Sequence, residues 1–181
     1  MIKIGICGAP SSGKSTAAAG VFYNCKNKGI LVELVQEFVR EEINRGFELR
    51  SVADQFRIFM KQKEREDIVP STINVLVTDS PIYLSLYYAL DYARKTGETS
   101  DDNILFLLEQ VFQERDRYDH VIMLKRTKPY INDGTRKQTV DESDNIHKEL
   151  CMLFDLFGIK YEIIDGDKAV DYIMELIDRN P

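Results

Sequence analysis

Residues 2–16, IKIGICGAPSSGKST, decide how the rest of the chain is read. Ile2, Ile4 and Ile6 are β-branched and the apolar run is short, so residues 2–7 are predicted to form a buried strand. Gly8 ends it. From Gly8 to Ser15 the spacing is G-x-x-x-x-G-K-[ST], the phosphate-binding P-loop pattern. The next stretch, TAAAGVFYNCKNKG, is helix-forming and predicted to close at Gly29 as its C-cap. A strand before and a helix after are the context the motif requires. The chemistry explains the composition. Gly8, Ala9, Pro10, Ser11, Ser12 and Gly13 are small, so backbone N–H groups approach phosphate oxygens closely. The helix beginning near Lys14, Ser15 and Thr16 adds its positive N-terminal end. Lys14 is placed to reach the β- and γ-phosphates and the Ser15 hydroxyl to ligate Mg²⁺. ATP and Mg²⁺ are therefore the expected cofactors. The loop does not name the reaction, because motors, switches and kinases share it.

Further strand-like runs fall at 31–35, 73–78, 120–124 and 161–164. Helical spacing covers 51–69, 81–95, 102–116, 142–157 and 167–179. Ser51 is a predicted N-cap with Asp54 three residues on, and Pro70 is a stop. Strands alternating with helices predict an α/β, three-layer P-loop NTPase fold with a five-stranded parallel sheet. Ligand belongs at the C-terminal ends of its strands. One domain is expected over 1–181. Residues 125–141, KRTKPYINDGTRKQTVD, break the alternation. A long basic loop in an otherwise acidic chain is expected to be functional, as a lid. Arg126 and Arg136 are its candidates for meeting a transferring phosphate, with Lys128 and Lys137 nearby.

The bulk numbers remove several function classes. The net charge of −6 argues against a broad nucleic-acid surface. The apolar runs are far too short for a membrane span, and residue 2 enters a strand directly, so no secretory leader is expected. Cys7, Cys25 and Cys151 are scattered and odd in number, which reads as reduced thiols in a cytoplasmic protein. His120 and His147 stand away from any paired cysteines, so no zinc site is expected. Nothing in the sequence sets the oligomeric state.

Among P-loop classes, three features discriminate. VLVTDSP ends a buried strand at Asp79, a magnesium-holding carboxylate in the expected place. Ser80 and Pro81 follow it, where motor ATPases commonly have a water-polarising glutamate. There is no Asn-Lys-x-Asp guanine-reading element. Finally, strand 31–35 runs into QEFVREE, which puts Glu37 and Arg40 on the same rim as the P-loop.

These features together resemble small kinases. Deoxynucleoside kinases carry a glutamate base at the Glu37 position and an acidic-Arg-Ser motif where this chain has Asp79-Ser80 without the arginine. The chain is more similar to the ribosylnicotinamide-kinase-like family of short AAA-type P-loop proteins, many from bacteria and bacteriophages. QEFVRE, Gln62 and Glu66 on the next helix, the strand-end Asp79, and DGTR at 133–136 carry the likeness. The resemblance implies an ATP-dependent kinase with Glu37 as general base. Glu37, Arg40, Gln62 and Glu66 would face a nucleoside- or nucleotide-like small molecule. Separately, the helical spacing of Phe56, Phe59 and Met60, and the run Tyr83, Tyr87 and Tyr88 after Asp79, offer a ring, with Phe56 and Tyr83 the candidates, to stack on a base. Gly166 and Asp167, in IIDGDK, would hold adenine through the backbone. A hydroxymethylated base in DNA is a second acceptor class.

Each residue also has a plain structural reading. Glu37 suits a helix first turn. Arg40 can pair with Glu41 or Glu42. Gln62 and Glu66 can share a solvated helix face, and Phe56 and Tyr83 can be core. A nucleotide-dependent regulatory switch or binding module is the alternative to an enzyme.

Overall fold

The computed structural model describes residues 1–98, 102–130 and 139–180. Among them, strands and helices follow in the order β1 (Ile2–Cys7), α1 (Lys14–Asn27), β2 (Val32–Val35), α2 (Phe38–Asn44), α3 (Val52–Asp67), β3 (Val75–Thr78), α4 (Tyr83–Thr96), α5 (Asp102–Gln113), β4 (His120–Lys125), α6 (Val140–Phe157), β5 (Glu162–Asp165) and α7 (Ala169–Arg179). The five strands form one parallel sheet in the order β2-β3-β1-β4-β5. This is the three-layer P-loop NTPase fold the alternation predicts.

Side-chain alternation along the strands divides the core. Ile4 and Ile6 of β1, Val75 and Val77 of β3, and Ile122 and Leu124 of β4 pack under α1 and α7. Cys7, Val121 and Met123 face the opposite layer, where Phe59, Leu86, Leu107 and Phe154 come from α3, α4, α5 and α6. Parallel strands buried on both faces must be apolar at nearly every position, and VLVT of β3 is buried throughout. Each such side chain contributes about 1.5–3 kcal/mol relative to exposure.

The helix ends show where the sequence reading needs correcting. α1 stops one residue before its cap at Lys28, and Gly29 is the next residue, with φ of 73°. Its N–H donates to Lys26 O and that of Ile30 to Cys25 O, the paired bonds of a Schellman stop. Ser51 caps α3 as expected, its hydroxyl accepting from Asp54 N–H. α5 ends at Gln113, short of the predicted 116. α2 is an element the apolar spacing did not reveal. The start of α6 revises the expected lid, because Thr139 and Glu142 form a capping box and residues 140–141 are already helical. Lys125 likewise closes β4. Residues 131–138, with Arg136 and Lys137, lie outside the described residues. The cysteines form no disulfide. Among the described residues no helix is long and apolar enough to cross a membrane.

Candidate active site

The register of the sheet builds the site. β2 and β3 run in step to the pair Val35 and Thr78, so the chain leaves both strands at one level. Asp79 N–H bonds back to Val35 O, which keeps the two exits together. Gln36 and Glu37 therefore emerge beside Asp79 and Ser80, at the end of the sheet where β1 delivers the P-loop.

The loop itself needs its glycines. Gly8 has φ of 146°, Gly13 94° and Ser11 65°, a backbone that turns sharply before α1. A Cβ on Gly8 would lie 2.6 Å from Ser12 Oγ and 3.0 Å from Leu124 O. Lys14 Nζ donates across the loop to Gly8 O at 2.8 Å and Ala9 O at 3.2 Å. Neighbouring elements hold the loop from outside. The Ser143 hydroxyl, buried on α6, donates to Pro10 O at 2.8 Å. Gly166 lies against Ser12 O, which a Cβ there would approach to 2.8 Å. The turn after β5 thus rests on the P-loop, and Asp167 is exposed beside it.

Ser15, Glu37, Arg40 and Asp79 line one cavity of about 550 Å³. Four of the predicted site residues are brought together here. Gln36, Glu41, Asn44 and Arg65 complete the lining, all polar. The Arg65 guanidinium pairs with Glu41 and lies 4.8 Å from the centre of the Phe38 ring. Glu37 accepts from the Ser80 hydroxyl at 3.4 Å. Burial holds the Glu37 carboxyl above the ordinary glutamate range. Asp79 adds to this, while Lys14, Arg40 and the Ser80 hydroxyl pull it back.

Two observations bear on what the site can hold. Asp79 Oδ1 and Ser12 Oγ are both buried without a hydrogen-bond partner. A buried carboxylate oxygen with no partner is costly unless a cation or water completes it. With Ser15 on the same cavity, the donor set is hard oxygen, which fits Mg²⁺ held by one or two protein groups plus phosphate. The strained glycine turn and helix N-terminus fit a nucleotide's phosphates.

Other expected residues are placed elsewhere. Gln62 is buried, with its amide spent on Phe38 N–H and Thr78. Glu66 is buried between Arg117 and Tyr118, whose groups meet both carboxylate oxygens. Tyr83 is wholly buried and donates to the carbonyls of Glu114 and Arg115. Phe56 packs edge-on against Phe106. Arg126 pairs with Asp144 of α6 and lies near the Tyr130 ring. None of these five is among the residues that line the cavity.

The sequence matches the AAA domain family over residues 3–169. The chain belongs to that family. No curated protein matches it. Among solved structures, this AAA domain is similar to the NadR protein in complex with NR, at 19% identity and a TM-score of 0.71. That match covers 96% of this chain and 51% of the other, so the chain spans about half the length of that protein. It is also similar to deoxyadenosine kinase from M. mycoides, with bound dCTP at 13% identity and a TM-score of 0.56, and with bound dATP at 12% and 0.53. Both of these matches cover 98% of this chain and 100% of the other. At such identities the likeness speaks to the fold alone.

Proposed function

We propose that the protein is an ATP- and Mg²⁺-dependent phosphotransferase that moves the γ-phosphate of ATP to a hydroxyl of a nucleoside- or nucleotide-like acceptor. The observation that carries this reading is Glu37. A carboxylate of raised affinity for protons faces the same polar cavity as Ser15 and Asp79. A switch needs no such base. A kinase uses one to accept the proton of the attacking hydroxyl. The name of one solved relative agrees in kind, since it is a deoxyadenosine kinase.

In this reading the residues divide the work. The free backbone N–H groups between Gly8 and Thr16, to which Pro10 contributes none, and the Lys14 ammonium hold the phosphates. Ser15 and Asp79 would hold Mg²⁺, which would supply positive charge to the nucleotide's phosphates. Glu37 orients the acceptor hydroxyl and takes its proton, with Ser80 fixing the carboxylate. Arg40 supplies positive charge on the acceptor side. Arg136 and Arg126 are proposed to meet the transferring group, and Gly166 and Asp167 to flank adenine. Positioning and electrostatics then carry most of the rate.

The test is consumption of ATP with Mg²⁺ against nucleosides, nucleotides and hydroxymethylated DNA. Acceptor-dependent ADP formation matched by a phosphorylated product supports the kinase. Slow, acceptor-independent hydrolysis across the whole panel supports a regulatory module instead.

A further inference from the structure

The first amide groups of a helix have no acceptor within the helix. In α2 the N-cap position is Glu37, yet its side chain makes no cap hydrogen bond. The acceptor comes from a different helix. Phe38 N–H donates to Gln62 Oε1 of α3 at 2.9 Å. The other end of the same amide, Nε2, donates to Thr78 Oγ1 at 3.2 Å. Thr78 Oγ1 also accepts from Ser80 N–H at 3.4 Å, and the Ser80 hydroxyl reaches Glu37. A closed ring results, running from Glu37 through Phe38, Gln62, Thr78 and Ser80 back to Glu37. Gln62 is 3% exposed and Thr78 is fully buried, so water does not stand in for these bonds.

We propose that Gln62 is a positioning residue for phosphoryl transfer: its amide braces the first turn of α2 against the end of β3 and so sets the distance between Glu37 and Asp79. The inference rests on the kinase reading. It replaces direct contact between Gln62 and acceptor by an action through two backbone exits. The residue type follows from the chemistry. One end must accept from an N–H and the other must donate to a hydroxyl oxygen, which a side-chain amide of this length does without a change of protonation. Asparagine is a methylene too short, ionised glutamate lacks the donor, and methionine has the size without either bond. The brace matters because a base displaced by about 1 Å can cost roughly 100-fold in rate.

Four proteins test this: wild type, Gln62→Met, Thr78→Val and Thr78→Ser. Acceptor-dependent kcat and the KM for ATP are measured in each, with amide exchange at Phe38. Gln62→Met and Thr78→Val are expected to lower kcat by roughly 10- to 100-fold, the usual effect of losing an outer-shell partner. The KM for ATP stays within a few-fold, and Phe38 N–H exchanges faster in Gln62→Met. Thr78→Ser keeps the hydroxyl and retains activity. A packing role at position 78 gives the reverse order, with valine benign and serine impaired, and overturns the proposal. So does unchanged exchange at Phe38, or accelerated exchange with undiminished transfer. Should Gln62→Met fail to fold, the pair at Thr78 decides. A wild type that phosphorylates no acceptor, with exchange still accelerated in Gln62→Met, overturns the kinase reading and the positioning role together. In that event the brace stands as structure alone.

Discussion

Glu37 and Asp79 are close neighbours in the site but differ in what surrounds them. Glu37 has a hydroxyl partner and a pKa raised first by burial and then by Asp79. The consequence for rate is a fall in acceptor-dependent turnover as pH drops through a value above the ordinary glutamate pKa of about 4.3, since the base must be ionised. The consequence for stability has the opposite sense. With its pKa raised in the folded state, the folded protein binds more protons than the unfolded chain between the two pKa values. Stability is therefore lost as pH rises through that window, and ionised Glu37 is a burden at neutral pH. Glu37→Gln is expected to raise the melting temperature at pH 7 and to leave it unchanged below pH 4. A lower melting temperature at pH 7 would mean that the carboxylate stabilises the fold. Asp79 is tested through metal. Its partnerless Oδ1 calls for a cation, so Asp79→Asn is expected to weaken the Mg²⁺ requirement curve by roughly 10-fold or more. Metal-free nucleotide binding should change little. An unchanged magnesium titration would make Asp79 structural.

At the scale of elements, the P-loop is held by its neighbours as well as by its own glycines. Ser143 on α6 bonds to Pro10 O from a site that is 1% exposed. Ser143→Ala removes one buried hydrogen bond, worth about 1 kcal/mol. If that loss falls on the nucleotide-bound loop, the KM for ATP rises about 5-fold, measured by steady-state kinetics with saturating acceptor. An unchanged KM would show that α6 does not set the loop's shape. The P-loop and its flanking elements were legible because the motif fixes residue types in sequence. Glu37, Arg40 and Asp79 were legible because parallel strands in register bring their exits together. The helix α2 was not, because a seven-residue helix carries too little periodicity. Its one local signal was Gly46, whose φ of 89° ends the helix with the same paired bonds as Gly29. Gln62 and Glu66 looked alike as i, i+4 neighbours, and only packing separates them: one braces the site and the other fills an ion pair behind it. Arg65 was invisible for a related reason, since its partner Glu41 lies on α2.

Across the whole molecule, Glu66 ties together segments that are remote in sequence. It bonds to Arg117 and Tyr118 ahead of β4, and the Tyr118 hydroxyl accepts from Ile82 N–H ahead of α4. Arg117 is 5% exposed and also reaches Asp67 and Glu114. Removing one partner of a buried pair costs roughly 3–5 kcal/mol, and the remaining acids place Glu66→Ala near the lower end. Denaturant unfolding should register about 3 kcal/mol, with the KM for acceptor unchanged in the folded fraction. A raised KM at full stability would put Glu66 at the acceptor after all. The fold thus separates a rear cross-linked by this network from a polar front where β1, β2 and β3 end. What that front does is measured most directly by acceptor-dependent phosphate transfer in wild type and Glu37→Gln, with ATP affinity taken alongside. The expected result is a fall in transfer of roughly 10²- to 10⁴-fold, the range for losing a general base, with ATP affinity within a few-fold. Equal transfer in the two proteins, or no transfer by the wild type to any nucleoside, nucleotide or hydroxymethylated DNA, would contradict it.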